Sequence, residues 1–392
     1  MKNKYKSFIK YIFIRLIRIV LSVFKCFPIK NNRVVFFSVP KFDYTCNPKY
    51  ILDYLYKNYN NKFEYIWVNK DNSKEIPLYV KTCRLKSLKF FYYFLTARVI
   101  VSNAMGPSYC PISSNTHYIA TWHGGGAYKK IELDVPDIKK DFWLCKRIMI
   151  STKSITHILS SCEKFSNLIE TALKIKTNMV LKTGMPRNDI FFNKNIVSIY
   201  YEKVRKYYGL NKDTKIILYA PTWRNDFRNI SDDLIKENER ILKSLNERFS
   251  GNWVLFVRLH PTIKIRQYSY VNISIIETSN YVDMQELLCA ADVLLNDYSS
   301  SMWDYSFLNR PCFIYAVDLL QYYNERNFYT SMSEWPFPIA TNIDELINNI
   351  LNFDQKEYIK KVEQHHKDLG SFENGRACEQ VCKLIANIID KG

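Results

Sequence analysis

Residues 118–126 read Tyr118-Ile-Ala-Thr-Trp-His-Gly-Gly-Gly126, so a short apolar run leads directly into His123. Residues 254–261 repeat this arrangement as Val254-Leu-Phe-Val-Arg-Leu-His-Pro261, where the run leads to His260. Each run is typical of a buried parallel strand. Ligands of open α/β sheets bind beyond the carboxyl ends of such strands, so the histidines indicate two sheets that face one cleft. One such histidine could be an ordinary loop residue, but two in matching contexts favour a functional site.

Apolar runs and helix-length segments alternate through the rest of the chain, which predicts βαβ units and mostly parallel sheets. The predicted strands cover residues 33–37, 63–68, 98–102, 118–121, 156–160, 215–219, 253–258, 273–276, 292–296 and 312–315. The predicted helices cover residues 48–59, 232–249, 284–291 and 375–389. A polar, helical connection around residues 193–211 separates two series of strands. We therefore expect an α/β protein with two Rossmann-like, doubly wound domains facing a central cleft.

Four segments follow from these patterns. They are an N-terminal helix (1–30), a first Rossmann-like domain (31–195), a second one (196–370) and a C-terminal helix (371–392). The 392 residues, 47% of them hydrophobic, suffice for two domains with large cores. The formal net charge of +18 indicates an anionic partner, which could be nucleic acid, an anionic membrane or a phosphate-rich substrate.

The first thirty residues predict a basic amphipathic helix that ends near Pro28. One face of a helical wheel carries the apolar residues Ile9, Ile12, Phe13, Leu16, Ile19, Val20, Val23 and Phe27. The opposite face carries Lys4, Arg15, Arg18 and Lys25. Basic residues interrupt the apolar run and no small-residue cleavage site follows it, so the segment resembles neither a spanning helix nor a signal peptide. We expect it to lie in the headgroup region of an anionic membrane, where each basic residue contributes about 1 kcal/mol. The alternative is a helix packed on the protein itself.

The spacing of the ten cysteines predicts no metal site, because none of them forms a Cys-x-x-Cys pair. Reduced cytosolic thiols are the expected state. Gly124-Gly-Gly126 lacks the spacing of a dinucleotide-binding turn, and no Asp-x-Asp pair follows an apolar strand. We therefore predict neither a metal nor a bound cofactor.

Asn296-Asp-Tyr-Ser-Ser-Ser301 lies between a predicted strand and a helix-like stretch over 302–308. Hydroxyls and free N–H groups at a helix start suit a phosphate or pyrophosphate, although a plain helix cap would look the same. Arg187, Arg224 and Arg258 each lie at a predicted strand end and could bind phosphate oxygens in bidentate fashion, or lie on the surface. Without a metal, a departing nucleotide needs cations, N–H donors and an acid, and a hydroxyl acceptor needs a base. His123 is the first choice for that base.

The motifs of the chain resemble those of the CDP-glycerol glycerophosphotransferase family, which builds teichoic acids and related capsule polymers. The resemblance rests on an ordered set of short motifs between about residue 118 and residue 380. They are Trp122-His123-Gly124, Gly184-Met-Pro-Arg-Asn-Asp189, Tyr219-Ala-Pro-Thr-Trp-Arg224, Arg258-Leu-His-Pro261 and Asp297-Tyr-Ser-Ser300, followed by Asp304 and Arg310-Pro311.

This resemblance implies a GT-B-type fold and transfer of a polyol phosphate from a CDP-activated donor, with release of CMP. It also implies a peripheral enzyme at the cytoplasmic face of the bacterial cell membrane, acting on a polyprenyl-linked saccharide acceptor. By motif, His123 is the implied base and His260 the group at the donor phosphates. The implied donor contacts are Arg224, Arg258, Asp297, Ser299 and Ser300, of which Arg258 and Asp297 would hold the site together rather than react. The implied loop and supporting residues are Gly124, Gly125, Arg187, Asp189 and Asp304.

One departure from the family pattern concerns the loop after His123. Many members carry Thr-Pro and then Leu-Lys after His-Gly, whereas this chain carries Gly125-Gly-Ala-Tyr128 before Lys129 and Lys130. The donor therefore stays open between CDP-glycerol, CDP-ribitol and another CDP-alditol. A GT-B glycosyltransferase that uses a nucleotide sugar is the competing enzyme hypothesis. A basic membrane scaffold or an RNA-binding protein is the non-enzymatic one, but no nucleic-acid motif is present and we expect no nucleic-acid partner.

Overall fold

The computed structural model describes residues 2–70, 76–222, 236–259 and 274–391. The chain divides into two compact units. The first comprises Met1–Asp189, Glu325–Asn327 and Gly370–Gly392, and the second comprises Ile190–Asn324 and Phe328–Leu369. Parts of the predicted helix 232–249 and of the predicted strand 273–276 lie outside the described residues.

The first unit contains a seven-stranded parallel sheet. Its elements up to residue 182 are α1 (Lys2–Leu21), β1 (Lys30–Phe37), α2 (Cys46–Tyr59), β2 (Glu64–Asn69), β3 (Lys81–Arg84), α3 (Leu88–Leu95), β4 (Ala97–Ser102), β5 (His117–Ala120), α4 (Pro136–Lys139), α5 (Phe142–Thr152), β6 (His157–Ser160), α6 (Glu163–Leu173) and β7 (Val180–Lys182). The strand order is β3-β2-β1-β4-β5-β6-β7, with every neighbouring pair parallel. The central strands are buried on both faces, which is why they read as continuous apolar runs.

The second unit contains a six-stranded parallel sheet. Its elements are α7 (Lys194–Tyr207), β8 (Thr214–Tyr219), α8 (Asn238–Phe249), β9 (Asn252–Val257), β10 (Ile275–Glu277), α9 (Met284–Ala290), β11 (Val293–Asn296), α10 (Ser301–Ser306), β12 (Cys312–Tyr315), α11 (Leu319–Glu325), β13 (Ile339–Ala340), α12 (Ile343–Leu351) and α13 (Gln355–Leu369). The strand order is β10-β9-β8-β11-β12-β13, again parallel throughout. The two parallel sheets confirm the predicted α/β class.

The last helix, α14 (Ala377–Asp390), belongs to the core of the first unit. Val381, Cys382 and Ile385 of this helix are buried in one cluster with Ile51 and Leu55 of α2. The preceding residues are joined to the same unit by an antiparallel bridge between Cys162 and Ser371. The C-terminal segment, predicted as a separate part of the chain, is therefore integral to the first Rossmann-like unit.

In each sheet, the direction of strand progression reverses at one point. In the first unit this point lies between β1 and β4, and in the second between β8 and β11. Loops that leave the carboxyl ends of the strands at such a switch point form the usual ligand-binding crevice of a doubly wound domain. The loop that carries His123 follows β5, which pairs with β4, and the loop that carries Asp297 follows β11.

The N-terminal helix α1 packs on the first unit with one side. Ile14 and Leu21 are buried, and the rings of Phe8 and Tyr11 lie 4.7 and 5.0 Å from the ring of Trp143 in α5. The helix ends at Leu21 and continues as a 3₁₀ turn, Ser22–Cys26, earlier than the predicted end at Pro28. One side of the helix therefore packs on the protein itself, which was the alternative considered for this segment.

The other side of α1 and its 3₁₀ turn exposes apolar side chains. All eight residues of the predicted apolar face are exposed: Ile9, Ile12, Phe13, Leu16, Ile19, Val20, Val23 and Phe27. Arg18, predicted on the basic face, instead donates from Nη1 to the carbonyls of Ser108 and Cys110 at 2.9 and 2.7 Å. Among the described ranges of the chain, no helix is both long enough and apolar enough to cross a bilayer.

Candidate functional site

His123 follows β5 and its ring has a defined tautomer. Nδ1 lies 2.9 Å from the backbone carbonyl oxygen of Asn103. A carbonyl oxygen can only accept a hydrogen bond, so Nδ1 carries the proton and Nε2 keeps a lone pair. Nε2 forms no hydrogen bond with the described part of the chain. The imidazole is therefore arranged to accept a proton at Nε2.

The electrostatic surroundings keep the His123 imidazole neutral. Crowding by protein atoms is the largest cause and, with the charges of Arg187 and Lys129, lowers its pKa to about 4 against a smaller opposing effect of the Asn103 carbonyl. The ring is nevertheless exposed to solvent, and water partly offsets the effect of crowding. Both considerations leave the ring mostly neutral near pH 7, which is the form that a general base requires.

The residue before His123 adopts an uncommon backbone conformation. Trp122 has a φ of 56°, in the left-handed region that bulky residues rarely occupy. Its carbonyl accepts hydrogen bonds from Asn47 Nδ2 at 3.0 Å and from Thr121 Oγ1 at 3.2 Å, and its indole stacks on the His123 ring at 4.9 Å. The turn at Trp122 directs the imidazole away from the path of β5.

The glycine loop continues the left-handed path. Gly126 has a φ of 75°, and its N–H donates to Ser161 Oγ at 3.2 Å. Gly125 is buried and Gly124 is half-buried. Glycine fits here because a side chain would strain the positive φ and crowd the buried backbone.

The 184–189 turn brings a cation to the same unit. Arg187 is buried, and its Nη1 donates to the Cys46 thiol sulfur at 3.3 Å. Asp189 has a structural role, because its carboxylate accepts hydrogen bonds from the backbone N–H groups of Ala377 and Cys378 at 2.9 and 2.7 Å. These are the first amides of α14, so Asp189 caps that helix. The structure thus brings Arg187 into the electrostatic surroundings of His123 and places Asp189 at a helix terminus.

In the second unit, the side chain of Asp297 connects the ends of two strands. The carboxylate accepts the Thr222 N–H at 2.8 and 3.0 Å, the Thr222 hydroxyl at 2.8 Å and the Ser299 N–H at 3.1 Å, and it also accepts the Tyr298 N–H. Thr222 follows β8 and Asp297 follows β11, the two strands at the switch point of this sheet. The buried Asp297 carboxylate therefore has a structural role, because it holds the ends of β8 and β11 together.

Ser299 and Ser300, which follow Asp297 closely in the chain, are half-buried. Ser299 Oγ accepts from the Ser301 hydroxyl at 3.1 Å. The Ser300 hydroxyl forms no hydrogen bond within the described ranges and precedes the short helix α10. These hydroxyls lie at the carboxyl edge of the second sheet, where a phosphate would be expected.

Two further predicted residues also contact the protein itself. The half-buried guanidinium of Arg258 donates to the carbonyls of Tyr281, Thr278 and Val282 at 2.6, 3.2 and 3.4 Å, a geometry that favours a supporting role over phosphate binding. Asp304 is buried and accepts from Gln285 Nε2 at 3.0 Å. Arg224 and His260 lie outside the described residues.

The sequence reasoning did not identify Asn47 and Asn103, which are buried beside the His123 loop. Neither belongs to a recognisable motif, and each precedes or follows an unremarkable apolar run. Only the pairing of β1 with β4 and of β4 with β5 brings them to His123.

Two units, each built on a doubly wound parallel sheet, are the architecture of the GT-B fold class. The family model for CDP-glycerol:poly(glycerophosphate) glycerophosphotransferase matches residues 19–387, and the chain belongs to this family. The protein is accordingly a transferase of the glycerophosphotransferase class.

Similar proteins come from teichoic acid synthesis. The chain is 30% identical to the teichoic acid poly(glycerol phosphate) polymerase of Staphylococcus epidermidis over 374 residues, which is 91% of this chain but 51% of that protein. It is also 30% identical to the polymerase of the same description from Bacillus spizizenii, over 92% of this chain and 94% of that one. A solved structure of a variant of the wall teichoic acid polymerase TagF, soaked with CDPG, has a TM-score of 0.81 at 28% identity and covers 100% of this chain and 99% of that one.

Proposed function

We propose that the protein transfers glycerol phosphate, or a related alditol phosphate, from a CDP-activated donor to a hydroxyl of a polyprenyl-linked saccharide acceptor, in the synthesis of a teichoic-acid-like or capsule polymer. Membership of the glycerophosphotransferase family supports the reaction class. The observation that carries the mechanism is the His123 ring, with Nδ1–H bonded to the Asn103 carbonyl and Nε2 ready to accept a proton. A neutral base at the carboxyl edge of a doubly wound sheet suits activation of a hydroxyl nucleophile.

In this mechanism His123 Nε2 removes the proton of the acceptor hydroxyl as its oxygen attacks the phosphorus that carries the alditol. A P–O bond forms to the acceptor, the P–O bond to CMP breaks, and CMP leaves. The charge that develops on the departing phosphate needs N–H donors, hydroxyls and cations. Ser299 and Ser300 are suited to supply hydroxyls, while Asp297 holds the backbone of their loop. Arg258 holds the carbonyls of residues 278–282. By motif, we assign Arg224 and His260 to the donor phosphates.

The donor and the base can be tested together by measuring CMP release with a detergent-solubilised lipid acceptor. CDP-glycerol, CDP-ribitol and a panel of nucleotide sugars are compared, because the relatives include a teichoic acid poly(ribitol-phosphate) polymerase from Bacillus spizizenii. Acceptor-dependent CMP release from one CDP-alditol is expected. Turnover with a nucleotide sugar alone would contradict the proposal and indicate a glycosyltransferase.

His123→Gln should lower turnover by about a hundredfold or more, as expected for loss of a general base. His117→Gln is the matched control, since His117 begins the same strand β5 at the opposite edge of the sheet. Equal turnover of the two variants would refute the assignment of His123.

We further propose that the protein binds the cytoplasmic face of the cell membrane through the exposed apolar side of α1. Six of the eight exposed apolar side chains lie on α1, and Val23 and Phe27 follow it, on a chain with a formal net charge of +18. Apolar insertion together with attraction to anionic lipid provides the two contributions that stable surface binding requires.

Deletion of α1 would also remove its contacts with Trp143, so point variants are a cleaner test. Phe13→Glu, Ile19→Glu and Val20→Glu combined should abolish cosedimentation with vesicles that contain about 30% anionic phospholipid. The control is Ile199→Glu, which changes a side chain of similar exposure on α7. Cosedimentation of the triple variant at the wild-type level would show that α1 is not the membrane contact.

A further inference from the structure

Two fully or nearly buried asparagines, Asn47 and Asn103, flank the loop that carries His123. We propose that both are positioning residues that hold the His123 ring in place with its Nε2 lone pair available. The inference rests on the proposed role of His123 as a base. It concerns residues that lie outside every motif of the family resemblance described above.

Asn103 fixes the carbonyl that bonds to the histidine. Its side-chain amide forms two hydrogen bonds with the backbone of Val39. The Asn103 Oδ1 accepts the Val39 N–H at 2.8 Å, and Nδ2 donates to the Val39 carbonyl at 3.1 Å. Val39 follows β1 and Asn103 follows β4, and these two strands are paired. This pair of hydrogen bonds prevents rotation of the chain at Asn103, so its carbonyl stays directed at His123 Nδ1.

Asn47 fixes the backbone on the other side of the ring. It lies in the first turn of α2 and is completely buried. Its Nδ2 donates to the Trp122 carbonyl at 3.0 Å, and its Oδ1 accepts the N–H of Arg187 at 3.0 Å. The side-chain amide of Asn47 therefore connects the His123 loop to the 184–189 turn, which contains the cationic Arg187.

The two contacts are needed because the local backbone does not favour this arrangement by itself. Trp122 is in the left-handed region, so the loop would relax toward an ordinary conformation if Asn47 released the carbonyl. Relaxation would move His123 relative to the Asn103 carbonyl. The proton could then reside on Nε2, and the ring would no longer accept a proton there.

Asn47→Asp is the sharpest test, because it keeps the shape and the acceptor for the Arg187 N–H but replaces the donor to the Trp122 carbonyl with an oxygen. Asn47→Ala and Asn103→Ala serve as second variants without a new buried charge. Turnover should fall by about tenfold to a hundredfold, while the KM for the donor changes by less than about twofold, since the chemistry and not donor binding loses its geometry.

Thr116→Val is the matched control. Thr116 directly precedes β5 at the opposite end, where its buried hydroxyl donates to the Ala97 carbonyl at 2.7 Å. Like Asn47→Asp, this variant loses a buried side-chain donor to a backbone carbonyl, but it should retain wild-type turnover. If Asn47→Asp and Thr116→Val have comparable Tm values and only Asn47→Asp loses turnover, the loss reflects displacement of the His123 ring and not lower stability.

Nitrogen NMR of the full chain with labelled histidine reads the tautomer directly. The wild-type spectrum should contain an Nδ1–H signal that is missing from His123→Gln, and Asn47→Asp and Asn103→Ala should each weaken or shift it. Unchanged turnover together with an unchanged signal in both asparagine variants would overturn the positioning proposal. If His123→Gln itself keeps full turnover, the base assignment fails, while the NMR signal still decides whether the asparagines hold the ring.

Discussion

Lowering the pH from about 7.5 to about 5.5 should leave most of the kcat/KM of this enzyme intact, because the proposed base, His123, has a lowered pKa and stays neutral. The sign follows from the role of the group. A base works in its deprotonated form, so activity is lost as the pH falls through the pKa of the ring. A histidine with an ordinary pKa would lose activity near pH 6.5 instead.

The size of the effect can be worked out from the two pKa values. With a pKa of about 4, roughly 97% of the rings are neutral at about pH 5.5. With the ordinary value of about 6.5, only about 9% are neutral there, which is a tenfold difference in the active fraction. Water at the exposed ring edge reduces the shift, but its direction still places the acidic limb below the ordinary value of about 6.5.

The assay is CMP release at low donor concentration between about pH 4.5 and pH 8.5, with Tm followed at each pH so that unfolding is recognised. His123→Gln should abolish the acidic limb. Arg187→Gln should move it to higher pH, because removal of a nearby positive charge raises the pKa of His123. An acidic limb centred near pH 6.5 in the wild type, unmoved in Arg187→Gln, would refute this account of the ring's surroundings.

Three stability predictions follow from the same structure. Gly184→Ala should lower the free energy of unfolding by about 2 kcal/mol or more in urea titrations, since a Cβ would lie 2.7 Å from the Glu373 carboxylate at a φ of +79°. Gly209→Ala, with a φ of +64° and no atom within 4 Å, should lose only about 1 kcal/mol, and an equal loss for both would exclude the steric contact as the cause. Asp297→Asn should cost about 2–4 kcal/mol, because an amide N–H₂ would face backbone donors, and an unchanged urea midpoint would contradict that. Asp189→Ala should cost about 1–2 kcal/mol and increase amide exchange at the start of α14, whereas unchanged exchange would show that the cap is dispensable.

The sequence predicts the strands that carry the site because each is an uninterrupted apolar run in a sheet buried on both faces. The predicted strand 118–121 differs by one residue from β5, and His123 follows it as expected. Two of the edge strands carry no such signal. β3 has three exposed residues out of four and β13 consists of two residues, so neither was predicted. Their formation depends on the neighbouring strand rather than on their own hydrophobic pattern.

The tautomer of His123 and the residues that hold it could not be predicted from the sequence. The Asn103 carbonyl is a backbone group twenty residues away along the chain, and the side chain that fixes it bonds to Val39, which follows another strand, β1. Such contacts depend on the register of three parallel strands, which local patterns do not specify. The exposed apolar side of α1, in contrast, was predictable because helical periodicity alone defines it.

A carboxylate can also act as a general base, but the contacts of the two motif aspartates, Asp189 and Asp297, argue against that role. The carboxylate of Asp189 accepts two amides of α14, and that of Asp297 accepts three backbone N–H groups and the Thr222 hydroxyl. Each carboxylate is thus held by backbone donors and has a structural role. His123 Nε2 can accept a proton without breaking a hydrogen bond to the described residues, while Nδ1–H keeps its bond to Asn103. The imidazole therefore fits the base role better than either carboxylate.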